Sequence, residues 1–374
     1  MTTNQNDGVF AGALHGYTVV DFSQGIAGPH CAAMLAELGA DVIKVEPPQG
    51  DWSRGMGEKV GDSTSMYETF NRGKRSHIID LKTQGGLREA LDLARGADIV
   101  IESARVGAMQ RLGLGFDAIK QINDRVIYVS ISGFGQHGPL ATEPATDTVM
   151  QAYTGLALGA SAVEAPTRVR VAIVDIVTGI YASNATLAAV LKRQQLPQAQ
   201  HLDISLMHAM AAMQNYKIVD EVVHGMRRLD EAMPITGIYR SQDGDFSLSL
   251  ANEKQMVAAL AAFGCESMLQ KPDFATRELR KQNQQAMRDG LAAIIARHSC
   301  DDCLKLLRQA GVPAQRILNY PAFLNDAQMQ AMGVVNQVQA RNGYEIVAIR
   351  SPGLPELPLR RAPGLGEAMA ATTA

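Results

Sequence analysis

The residues of this chain best suited to chemistry are charged side chains at the junctions between apolar runs. Asp175 stands in Arg170-Val-Ala-Ile-Val-Asp175-Ile-Val-Thr178-Gly179, after an apolar run and ahead of a helical stretch over 176–194. An aspartate there is a favoured helix N-cap. The same place suits a catalytic carboxylate, which the helix dipole would keep ionised and apolar neighbours would strip of water. Asp147 opens a second helical stretch that runs through Gln151, and it carries the same two readings. Arg72, Lys74 and Arg75 crowd around Gly73. An arginine fork and a lysine point charge suit phosphate oxygens, although an isolated cluster also sits well in a solvated loop. The turn Ser23-Gln24-Gly25-Ile26-Ala27-Gly28-Pro29 opens a helix whose free N–H groups would receive an anion, and Glu46 ends the following strand. Gly25-x-x-Gly28 is half of a dinucleotide fingerprint, so an NAD-dependent dehydrogenase is a candidate from a different class. His77 and His137 have no serine or carboxylate partner at recognisable spacing, which leaves a triad unsupported.

These residues hang on alternating elements. Strand-like runs at 18–23, 41–46, 98–103 and 126–132 alternate with helical runs at 29–40, 85–97 and 116–123. That order predicts a doubly wound, Rossmann-like parallel sheet covered on both faces. A further strand is read at His77–Lys82, and a strand and helix follow in 200–219. From about 232 the character changes to a hairpin with Asp243-Gly244 at its turn, then helices rich in Ala, Gln and Arg. The tail from Pro352, with Pro355, Pro358 and Pro363, is expected as an extended strap, because each proline lacks an N–H and restricts its predecessor. Expected limits are 1–215 for a large α/β domain, 216–325 for a smaller α+β domain and 326–374 for the strap.

Composition narrows the function. A formal net charge of −3 argues against a nucleic-acid partner. No uninterrupted apolar run approaches the roughly 20 residues that span a bilayer, so no membrane partner is expected. The first residues lack both a basic start and an apolar stretch, so the expected location is the cytoplasm. Cys300-Asp-Asp-Cys303 has the spacing of a redox pair or half a zinc site. It stands alone in a helical run, and an ordinary helical role is the better reading.

In order along the chain, the motifs resemble those of the class III (CaiB/BaiF) CoA-transferases, a family that includes formyl-CoA:oxalate and carnitine CoA-transferases and the related α-methylacyl-CoA racemases. The similar stretches are Val20-Asp21-Phe22-Ser23…Ala27-Gly28-Pro29, Leu38-Gly39-Ala40-Asp41 to Pro48, Gly50-Asp51…Arg54 and Asn71 to Ser76. They continue with Gly107 to Gly113, Ser132 to Pro139, Asp147…Gln151-Ala152…Gly155, Asp175…Thr178-Gly179, Gly311-Val312-Pro313 and Ala362 to Glu367. The resemblance implies an interlocked homodimer with the strap completing the large domain. It implies that Asp175 accepts the acyl group and Asp147 lines the site. CoA would be held near Ala27, Lys44, Lys74, Arg75 and Arg111, as part of a thioester substrate rather than a resident cofactor. No metal is implied. The departures are Glu102-Ser103-Ala104 where the family often has Glu-Asn-Phe, Pro47 where the formyl-CoA enzyme has arginine, and no glycine-rich loop around 234–252.

The implied chemistry needs one carboxylate. Asp175 would attack the donor thioester to give a mixed anhydride and CoA thiolate. The thiolate would then attack the aspartyl carbonyl, releasing the donor acid and leaving an aspartyl-CoA thioester, and an acceptor acid would repeat the sequence in reverse. N–H groups of glycine-containing turns would stabilise the oxyanions. A racemase needs a base on each side of the α-carbon. The family's racemases have a histidine where this chain has Thr146, and a glycine-rich stretch where it has Ile176-Val177-Thr178-Gly179, so the transferase is favoured.

Overall fold

The computed structural model describes residues 12–61, 63–159, 165–223, 225, 233–340, 343–354 and 360–368. They form two compact units, Met1–Val219 with Gly333–Ala374, and Asp220–Met332, whose borders lie a few residues beyond the expected 215 and 325. In the first unit six strands run parallel: β1 (Thr18–Asp21), β2 (Asp41–Glu46), β3 (Arg75–Ile78), β4 (Ile99–Glu102), β5 (Ile127–Ser132) and β6 (Gln200–Ser205). Their order is β3-β2-β1-β4-β5-β6, doubly wound with a switch point between β1 and β4. β3 starts two residues before the strand expected at His77.

The pleat explains why these runs are apolar throughout. Val19, Val42, Ile99, Ile127 and Val129 face one side. They pack there with α1 (Ala27–Glu37), α4 (Asp147–Tyr153), α5 (Ile173–Gln195) and α6 (Leu206–Met213). Their neighbours Val20, Ile43, Val100 and Tyr128 face the other side, under α2 (Gln84–Arg95) and α3 (Phe116–Ile122). Each such side chain contributes roughly 1.5–3 kcal/mol on burial. The Thr83 hydroxyl caps α2 by accepting the Gly86 N–H at 3.0 Å, worth about 1 kcal/mol.

α5 is long and apolar enough to cross a membrane, with a mean hydropathy of 1.5 in its most apolar window. Asp175 near its start and Lys192 and Arg193 near its end interrupt the apolar run. Here it is a core helix, with Val174, Ala182, Ala189 and Val190 packed against the sheet layer.

The second unit is α+β. β7 (Gly237–Arg240) and β8 (Asp245–Leu248) form the expected hairpin around Asp243-Gly244, and β9 (Ala314–Arg316) adds to β8 antiparallel. Helices α7 (Glu253–Ala262), α8 (Gln284–Ile295) and α9 (Cys300–Gln309) cover them. Cys300 and Cys303 are free, fully buried residues of that core, and burial pushes the Cys303 thiol up to about 11. Ser299 caps α9 and so splits the helical run read around the pair.

Back in the first unit, β10 (Val335–Gln339) and β11 (Glu345–Ile349) form a hairpin that the sequence did not reveal. The strap then follows the open edge of β3. Gly73 N–H donates to Arg361 O at 3.1 Å, Ser76 N–H to Glu367 O at 2.9 Å, and Gly366 N–H to Ser76 Oγ at 2.9 Å. Pro355 and Pro358 lie outside the described residues.

Candidate active site

Asp175 is the third residue of α5, not its cap. The cap comes from outside the helix. Asp147, the first residue of α4, accepts the Val174 N–H at 2.8 Å and the Asp175 N–H at 3.4 Å through Oδ2. Capping, which either aspartate offered on sequence, thus falls to Asp147 on behalf of its neighbour's helix. Among the described residues the Asp175 carboxyl accepts no hydrogen bond. Burial, and then the charge of Asp147, push it up to about 7. The expectation that the helix dipole keeps it ionised is corrected here: a first-turn dipole is worth about 0.3–1 kcal/mol, and desolvation with a like charge outweighs it.

The structure also brings Ala27 to this helix. A Cβ on Gly179, one turn beyond Asp175, would stand 2.9 Å from the Ala27 carbonyl oxygen and 2.8 Å from the His30 ring. Only glycine lets α5 cross α1 this closely. Burial, with the charges of Lys74 and Arg72, pushes the His30 imidazole down to about 4.

The turn before α1 lies at the carboxyl end of β1, beside the switch point. Gly25 has φ +85°, and a Cβ there would meet the Trp52 indole at 2.2 Å. Its N–H donates to both Asp51 oxygens at 3.2 and 3.3 Å. Gln24 N–H donates to Ser103 Oγ at 3.1 Å, tying this turn to the loop after β4 across the crevice. Ser103 stands where the family often has asparagine, and in this chain it joins the two walls. Trp52 is 51 % exposed above the turn and is the chain's single tryptophan. The sequence marks Ser103 only as a departure from the family pattern and gives no sign of Trp52, because the turn that positions both closes only in three dimensions.

The predicted CoA-binding cations divide. Lys44 and Lys74 are 0 % exposed. Lys44 pairs with Asp51 at 2.7 Å and donates to Ser23 O. Lys74 donates to Asp21 at 2.8 Å and to Pro29 O and Asn71 Oδ1, each at 2.9 Å. Burial pushes the Asp21 carboxyl up, but Lys74 and Lys44 outweigh it and hold it below the usual range. Burial pushes Lys74 down to about 8 despite Asp21. In this structure both ammonium groups are therefore internal props under the strand-to-helix turn, out of reach of a phosphate. Arg75 reaches back toward the amino end of the sheet and forks onto Asp41, away from the crevice. Arg111 is exposed just beyond β4, and its guanidinium folds over Gly107, 3.0 Å from where a Cβ would stand. Of the four predicted cations, it is the one exposed at the carboxyl end of the sheet, in the segment after β4, with no carboxylate partner among the described residues.

Glu46 has no capacity left for a ribose. It forks with Arg54 at 2.7 Å through both oxygens, and also accepts from Tyr67 Oη, Ser76 Oγ and the Asp51 N–H, at 0 % exposure. This removes the anchor on which the dehydrogenase reading depended.

Comparison with known proteins identifies the family. The profile of CoA-transferase family III matches residues 14–369. A succinate–glutarate CoA-transferase of Agrobacterium fabrum is 31 % identical over 95 % of this chain and 93 % of its own. An acetyl-CoA:oxalate CoA-transferase of Acetobacter aceti is 30 % identical over 87 % of this chain and 85 % of its own. Among solved structures, a CaiB/BaiF family protein of Brucella suis superposes with a TM-score of 0.83 at 31 % identity, covering 95 % of this chain and 96 % of that one.

Proposed function

This chain belongs to CoA-transferase family III and is an acyl-CoA:carboxylate CoA-transferase, and from that premise we propose that it passes CoA to a dicarboxylic acid through intermediates on Asp175. The observation that carries the proposal is the Asp175 carboxyl itself: half-buried, without a hydrogen-bond partner among the described residues, and one helical turn from Gly179, which packs on the Ala27 carbonyl. A carboxylate so placed attacks the donor thioester carbonyl, forming an anhydride and expelling CoA thiolate. The thiolate attacks the aspartyl carbonyl, and the donor carboxylate leaves. The acceptor carboxylate then attacks aspartyl-CoA, and the returning thiolate takes the acceptor's acyl group and frees Asp175.

The dicarboxylate class is supported by the relatives' names, which pair succinate with glutarate and acetyl-CoA with oxalate. Arg168 and Arg170, exposed on the segment entering α5, are cations available to a second carboxylate. Arg111 is the phosphate contact we propose for CoA, and Ala27 a second contact to the same ligand. A racemase reading lacks its base, because Thr146, the residue before Asp147, is an exposed threonine. We further propose the interlocked homodimer. Tyr216, Leu191, Tyr344 and Val347 are exposed apolar residues of the first unit that a second copy would cover.

The test is Asp175→Ala with hydroxylamine trapping. Wild type incubated with succinyl-CoA should convert Asp175 to a hydroxamate, and the variant should bind CoA but exchange nothing. Near-normal turnover by the variant would sink the covalent mechanism.

A further inference from the structure

One side chain fixes the segment that leads into α5. Gln151, one turn along α4 from Asp147, is 1 % exposed. Its Oε1 accepts the Val169 N–H at 2.9 Å, and its Nε2 donates to Val169 O at 3.1 Å and to Asp147 Oδ1 at 2.7 Å. The Val169 peptide presents one donor and one acceptor. Only an amide answers both and still donates to a carboxylate. Asp147 is engaged on both oxygens, by Gln151 on one side and by the Val174 and Asp175 N–H groups on the other. Such an Asp147 is poorly placed to exchange protons with substrate and well placed to hold a geometry.

We propose that Gln151 and Asp147 are positioning residues: Gln151 ties Asp147 to the Val169 peptide, and Asp147, so held, caps the helix of Asp175 and keeps a negative charge beside the nucleophile. The inference rests on Asp175 being the nucleophile. Its consequence is chemical. A carboxylate made more basic is more reactive once ionised, and catalysis gains most when the midpoint lies near the working pH. The other groups around this helix start do not supply that charge. His30, on α1, is neutral above about pH 4. Arg168, on the entering segment, donates to Thr148 Oγ1 at 3.0 Å, while Arg170 and, on α6, His208 are exposed. Tyr153, the other titratable residue of α4, stacks edge-on against Phe134.

The experiment measures kcat against pH for the intact enzyme, with KM for succinyl-CoA and a circular dichroism spectrum of each variant. Wild type should lose rate about tenfold per pH unit below a midpoint near 7. Asp147→Asn keeps a capping oxygen and removes the charge, so its midpoint should fall by about one unit. Gln151→Glu sets a second carboxyl against Asp147, so its midpoint should rise. KM should stay within about twofold in both, since neither is argued to touch substrate. Unmoved midpoints in folded variants overturn the proposal, as does a roughly tenfold rise in KM at constant kcat, which would mark a substrate contact. Asp147→Asn keeps the question decidable should Gln151→Glu fail to fold. Retained turnover in Asp175→Ala would overturn the parent reading instead.

Discussion

Replacing Asp175 by asparagine should make the protein inactive and more stable, and the gain should grow with pH. The folded-state midpoint is raised from 3.8 to about 7. Folded protein therefore keeps a proton that unfolded chain releases, and the associated stability is complete below pH 3.8 and is lost as pH climbs through 7. At about 1.36 kcal/mol per unit, the three-unit gap corresponds to at most about 4 kcal/mol above pH 7, and to roughly 1.5 kcal/mol at pH 5. Asparagine is neutral throughout and avoids the loss. For 374 residues the unfolding entropy is about 0.8 kcal/mol/K. The expected increase in Tm is then about 5 °C at pH 8 and about 2 °C at pH 5. Melting both proteins at the two pH values, at one protein concentration, cancels every other titrating group in the double difference. Parallel melting curves across pH, or an asparagine variant that loses ground at pH 8, would refute the claim that this carboxyl is held in a costly environment.

Three further outcomes are expected. Arg111→Ala should raise KM for an acyl-CoA roughly tenfold with kcat little changed, the size of one charge-assisted contact of about 1.5 kcal/mol; steady-state kinetics decides it. Asp21→Asn should cost roughly 3–5 kcal/mol by leaving Lys74 buried without its counter-charge, measured by urea unfolding, whereas a loss under 1 kcal/mol would show the cluster to be dispensable. CoA titration should change the fluorescence of Trp52, the one tryptophan, because its half-exposed indole lies on the Gly25 turn; an unchanged spectrum at saturating CoA would place the ligand elsewhere.

Much of this could be read from residues whose partners are near in sequence. The parallel sheet followed from runs such as Ile127 to Ser132, which are apolar because both faces are covered. Asp175 and Asp147 stood out by position. Their division of labour did not, because the cap joins residues 27 apart. Lys44 and Lys74 illustrate the opposite limit. A basic residue suggests an exposed anion site until the acids that neutralise it, Asp21 and Asp51, are seen folded against it. The β10–β11 hairpin escaped because its strands, Val-Asn-Gln-Val-Gln and Glu-Ile-Val-Ala-Ile, are short and only weakly alternating.

The edge of the sheet at β3 is closed by a segment that lies far along the chain from it. Ser76 and Gly366, hydrogen-bonded in the folded chain, are separated by 290 residues. At about 5–20 residues per second the ribosome needs roughly 15–60 s to make the second after the first. Throughout that interval the nascent chain exposes an unpaired β3, a template for other strands. Co-translational folding can therefore assemble the middle of this sheet but cannot finish it until the strap has been made.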